Sequence, residues 1–150
     1  MMRYILPIIL LFTLFCALAQ HIGSANPISL GTVLVNEPDI EGMKSLCLSR
    51  QYIETTPEDG YSVFTSPEGY KIRFKMQTAT GSSLPCPIVE ISSDKKFTDI
   101  DKILTNSGFT ETKHNAGKTV YQRGLKMAKR FTTCTILSPQ TLLFTKTSPR

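Results

Sequence analysis

Residues able to move a proton near neutral pH are scarce in this chain: its histidines are His21 and His114. His114 follows Lys113, with Glu111 close by. One imidazole beside a cation and a carboxylate could serve as acid or base in metal-free phosphodiester cleavage, with basic side chains holding the phosphate. That chemistry defines one alternative, a small basic hydrolase of ribonuclease type acting through His114. Exposed turn histidines are usually inert, and the surrounding inventory is thin. There is no Gly-x-Ser-x-Gly elbow, no histidine pair at ligand spacing and no glycine-rich phosphate loop, and the acids are spread along the chain. No metal or cofactor is implied, and the balance leans away from an enzyme.

Sulfur chemistry is equally limited. Beyond Cys16, the cysteines are Cys47, Cys86 and Cys134, and no Cys-x-x-Cys pair occurs. They are the disulfide candidates, allowing one bridge and one spare thiol in a pairing that sequence does not choose. Cys86, in the stiff Pro85-Cys86-Pro87 stretch, is the one most expected to be bridged. Cys47, on the apolar side of an expected helix, reads equally well as a small buried hydrophobe.

The richer chemistry is basic. From Gln20 to Tyr70 there are 2 Lys/Arg against 7 Asp/Glu, a balance of −5, whereas from Lys71 onward 14 face 5, a balance of +9. Lys71, Arg73, Lys75, Arg123, Lys126, Lys129 and Arg130, interleaved with Tyr121 and Phe131, are candidate binding residues on a basic sheet surface. Such a surface attracts an acidic protein face, RNA or a sulfated glycan, raising association rate more than specificity. The blander reading is an ordinary solvated face whose charge the acidic half compensates.

The element that must position these residues is Tyr70-Lys71-Ile72-Arg73-Phe74-Lys75-Met76. Its strict alternation puts Ile72, Phe74 and Met76 on one face of a strand and the three cations on the other. Tyr61 to Thr65 reads as the partner strand of a hairpin, with Ser66-Pro67-Glu68-Gly69 as the turn. Upstream, Leu30 to Val35 reads as a first strand, residues 39 to 49 as a helix and Tyr52 to Glu54 as the start of a strand. Downstream, Pro87 to Ser92 reads as a strand, followed by a helix opening on a capping-box-like Thr98-x-x-Asp101 and stopped by Gly108. Four strands follow, near Phe109–Lys113, Lys118–Arg123, Arg130–Leu137 and Thr141–Lys146.

The pattern predicts a single α+β domain over residues 30–150, with two short helices on a mainly antiparallel sheet. At an offset of about 57 residues the halves match at helix apolar positions, a turn glycine and strand aromatics. Tyr52 falls on Phe109, Phe64 on Tyr121, and Arg73 with Phe74 on Arg130 with Phe131. This suggests tandem β-α-β-β-β units of about 30–84 and 85–150, although a best offset always finds some agreement.

Arg3 followed by the uncharged apolar run Tyr4 to Ala19 has the form of a secretory signal peptide over residues 1–19, and residues 20–29 form a lead-in. The mature chain is then expected to be secreted or periplasmic, without a transmembrane segment. Together these features favour a secreted, non-catalytic binding protein, such as an effector or an inhibitor or immunity protein for another protein. The hydrolase above and an extracellular structural protein are the alternatives.

Overall fold

The computed structural model describes residues 26–78, 84–115, 118–125 and 130–147. The expected signal peptide lies outside them. Among the described residues no helix is long and apolar enough to cross a membrane.

The chain enters through α1 (Pro27–Leu34). Asn26 caps it, its side-chain oxygen accepting from the Ser29 N–H at 3.2 Å, and Pro27 stands where the helix has no use for an N–H. This corrects the expected strand at Leu30 to Val35. A helix buried nearly all round shows no polar face, so its apolar run imitates a core strand. Ile28, Leu30 and Leu34 are buried. A Cβ on Gly31 would stand 2.7 Å from Ile91 Cδ1 and 2.8 Å from the Phe144 ring, so only glycine lets α1 sit this close to the sheet.

Helix α2 (Ile40–Ser49) forms as its spacing predicts. Asp39 caps it through the Gly42 N–H at 2.8 Å, and Met43 and Cys47 carry its buried stripe. The third helix, α3 (Ile100–Asn106), departs from its expected start. Its cap is Asp99 in the left-handed region, making no side-chain cap bond, so the Thr98 capping box does not form. Its end is as expected, with Gly108 at φ +85°.

Among the described residues eight strands form one antiparallel sheet: β1 (Ile53–Glu58), β2 (Tyr61–Thr65), β3 (Tyr70–Thr78), β4 (Pro85–Ser93), β5 (Thr110–Asn115), β6 (Lys118–Leu125), β7 (Arg130–Ser138) and β8 (Thr141–Thr147), with α3 between β4 and β5. Their spatial order is β1-β2-β3-β4-β8-β7-β6-β5. The fold is α+β, with three described helices rather than two. Phe64, Ile72, Phe74, Val89, Ile91, Cys134, Leu142 and Phe144 share the helix-side face and join α1, α2 and Leu104 of α3 in one continuous core.

The order helix, then four antiparallel strands, occurs twice. The two sets meet where Glu90 pairs with Leu143, flanked by Val89↔Phe144 and Ile91↔Leu142, a register that maps onto itself when the halves are exchanged. Local detail corresponds too. Thr55 Oγ1 donates to Val63 O at 3.3 Å, and Thr112 Oγ1 to Val120 O at 3.3 Å. The Tyr52 and Phe109 N–H groups close their helices on Cys47 O and Leu104 O, both at 3.0 Å. These are matches of topology and register, and they do not confirm a sequence duplication. The expected β-α-β-β-β unit is not the one seen, because helix α1 rather than a strand precedes α2 and four strands follow each of α2 and α3. The expected division near residue 84 falls between β3 and β4, which pair over nine positions.

Candidate functional site: the open face of the first hairpin

All three described helices pack on one side of the sheet, so the alternation of β3 turns Lys71, Arg73 and Lys75 to the other. Pairing brings β2 and β4 alongside. Val63 lies opposite Arg73, and Glu90 lies opposite Arg73 on the other flank. That register makes a cross-strand ion pair, with Arg73 Nε donating to Glu90 Oε1 at 2.9 Å and Nη2 to Oε2 at 3.0 Å. The bond to Glu90 raises the Arg73 pKa against a smaller opposing effect of burial. Lys71 Nζ likewise reaches Glu58, at 2.7 Å from Oε2. This second pair is exposed and worth about 1 kcal/mol or less.

Tyr61 completes the cluster. The Arg73 Cζ stands 4.8 Å from its ring centroid and Lys75 Nζ stands 4.3 Å from it. Two cations therefore share one aromatic ring, an attraction of about 0.5–1 kcal/mol each at an exposed site. Arg73, held by a bidentate carboxylate and a ring, is preorganised. Lys75 has an aromatic partner but no carboxylate in an ion pair among the described residues. Three cations against Glu58 and Glu90 leave a local charge near +1.

The other expected binding residues are not gathered here. Arg123 is on the helix side: its Cζ stacks 5.0 Å over Phe109 and Nη1 donates to Ser107 O at 3.1 Å, satisfying a carbonyl at the end of α3. Tyr121 is not a surface aromatic. It is 3 % exposed, its hydroxyl donates to Asp101, and burial together with that bond raises its pKa. Arg130 pairs with Leu125 at the start of β7, its side chain outside the described residues, as are Lys126 and Lys129.

Arg130 is also not the counterpart of Arg73. Phe64 pairs with Ile72, eight residues on, whereas Tyr121 pairs with Cys134, thirteen on. The five extra residues end the constant offset, and Thr135 takes the place corresponding to Arg73.

His114 lies in edge strand β5, paired with Thr119, rather than in a turn, and its side chain is outside the described residues. Among the described residues no three His, Cys, Asp or Glu side chains could together hold a metal ion. Cys47, Cys86 and Cys134 are free thiols, so the bridge most expected at Cys86 is not seen. Cys86 belongs to β4 rather than a loop, and Cys47 and Cys134 are buried on α2 and β7. Burial pushes both buried thiols up to about 12.

Sequence reasoning missed Tyr61, Glu58 and Glu90. The hairpin register alone would have placed Tyr61 beside Lys75. Glu90 needed the β3–β4 register, which no turn signal across residues 79–83 supplied. In comparisons with known proteins, no family model matches the chain, and no curated protein or solved structure matches it significantly.

Proposed function

We propose that this chain is a secreted or periplasmic, non-catalytic binding protein that engages an acidic protein surface through the open face of its first hairpin. The carrying observation is the Tyr61 ring shared by Arg73 and Lys75, with Arg73 fixed by Glu90. Tyr and Arg are the residue types that dominate binding hot spots, and a side chain already held in place loses less entropy on binding. The near-neutral local charge favours a protein face over RNA or a glycan, because polyanion affinity grows with the number of phosphates or sulfates neutralised. Roles as an effector, or as an inhibitor or immunity protein, fit this mode of action.

The test is binding of the full chain to poly-L-glutamate, heparin and single-stranded RNA over a salt series, beside a Tyr61→Ala/Lys75→Ala variant. Loss of poly-L-glutamate affinity by about tenfold or more, with unchanged melting, is expected. Equal affinity with equal melting would remove this face from the function. Tighter, more salt-sensitive binding to RNA or heparin than to poly-L-glutamate would move the assignment to a nucleic acid or a sulfated glycan.

A further inference from the structure

On the helix side of the sheet, away from the open face, a cavity of about 420 Å³ lies where the start of α1, the β2–β3 turn and the β4–α3 connection meet. Its volume is in the range of small-molecule sites. Ile28 and Ile103 line it with the rings of Tyr70 and Phe97, which are parallel to within 5° at a centroid separation of 6.1 Å. Parallel rings beside aliphatic side chains give the cavity an aromatic, apolar side.

Both loops around the cavity are held by hydrogen bonds. On one side, Ser66 N donates to Tyr70 O at 2.9 Å and Tyr70 N to Ser66 Oγ at 3.2 Å, while Gly69 N reaches Ser66 O at 3.1 Å. On the other, the β7–β8 turn clamps the connection. Ser93 N donates to Gln140 O at 3.0 Å, Gln140 Nε2 to Asp94 O at 2.7 Å and Phe97 N to Pro139 O at 2.8 Å. The cavity is thus a preorganised feature of the fold.

The charge of its lining is net positive. Lys95 and Lys96 line it, opposed by Glu68. Lys44, Lys71 and Arg73 are each ion-paired with a glutamate, whereas neither Lys95 nor Lys96 forms an ion pair among the described residues. The α1 N-terminus adds a weak positive field at the cavity, its cap bond already made within the chain by Asn26.

We propose that this cavity binds a small aromatic carboxylate, its ring against Tyr70 and Phe97 and its carboxylate between Lys95 and Lys96. The aromatic and aliphatic side chains favour the ring, and the two ammonium groups supply the charge-assisted bonds that fix its orientation.

The test uses 2-naphthoate and its neutral analogue 2-naphthamide, titrated into the full chain and followed by amide shifts of residues 93–98 and by calorimetry. Naphthoate should bind at one site per chain, about tenfold or more tighter than naphthamide, the worth of one charge-assisted contact. Lys95→Ala/Lys96→Ala should bring naphthoate down to the naphthamide level and leave naphthamide unchanged, and Phe97→Leu should weaken both. Lys102→Ala, on α3 but outside the cavity lining, should change neither. No shifts at millimolar naphthoate, or equal affinities across the variants with melting preserved, would overturn the proposal.

Discussion

Buried groups with titratable protons set the behaviour of this protein at the residue scale. Cys47 and Cys134 are fully buried, and their thiols are held up to about 12 against an ordinary 9.0. In the unfolded chain they ionise first. Unfolding therefore releases protons between about pH 9 and about pH 12, and stability falls as pH rises through that window, by up to about 1.4 kcal/mol per pH unit for each thiol. Tyr52 and Tyr121, also raised by burial, add loss of the same sign above their ordinary 10.0. Urea denaturation from about pH 8 to about pH 10.5 should show a falling midpoint, and a Cys47→Ala/Cys134→Ala variant a shallower fall. Alkylation of the native protein should modify Cys86 before either buried thiol, as read by peptide mapping. Tyr52 adds a second test. Its hydroxyl is buried without a hydrogen-bond partner, and the Ser66 oxygen beside it already accepts from the Tyr70 N–H. Tyr52→Phe should leave stability unchanged or raise it by about 1 kcal/mol, because the lost hydroxyl was desolvated without compensation.

The helices depend on single backbone positions at the scale of elements. Gly31→Ala would improve helix propensity by about 1 kcal/mol in an open helix. Here the new Cβ meets Ile91 and Phe144 at under 3 Å, and overpacking of that kind costs about 1–3 kcal/mol, so a net loss is expected in the melting temperature. The two matched helix ends give an opposite case. Gly108 stops α3 at φ +85°, and Gln51 occupies the corresponding place after α2 at φ +64°. Gln51→Gly should stabilise by about 0.5–1 kcal/mol, since only glycine adopts that region without cost. Gly108→Ala should destabilise by a similar amount. Hairpins and the ends of α2 and α3 were legible because alternation, turn residues and a stop glycine are local signals. The cap of α3 was not: Thr98 and Asp101 have the right types, but the chain enters with Asp99 left-handed and the box cannot close.

Taken as a whole, the molecule has one core rather than two. The β4–β8 pairing and α1, lodged against Ile91 and Phe144, tie the two helix-plus-four-strand sets together. A fragment of residues 26–99 would leave the β4 edge unpaired where β8 binds it and would uncover the part of α1 that rests on Phe144. It should therefore fail to give a cooperative melt, whereas the full chain should unfold in one transition by circular dichroism and by tyrosine fluorescence. The charge asymmetry of the sequence is real, but at the open face two of the three cations are neutralised by acids from neighbouring strands.

From the sequence alone came the class of fold, most strand positions, helix α2 and the face on which Lys71, Arg73 and Lys75 stand. Each follows from local periodicity and turn chemistry. Tertiary structure decided the rest. It made Leu30 to Leu34 a helix, because a segment buried nearly all round, with its exposed position also apolar, carries no periodic signal. It set Glu90 on Arg73 and Arg123 on the helix side, because register across a long connection depends on packing rather than on nearby residues. And it built a cavity from Asn26, Glu68 and Phe97, which no local pattern could bring together.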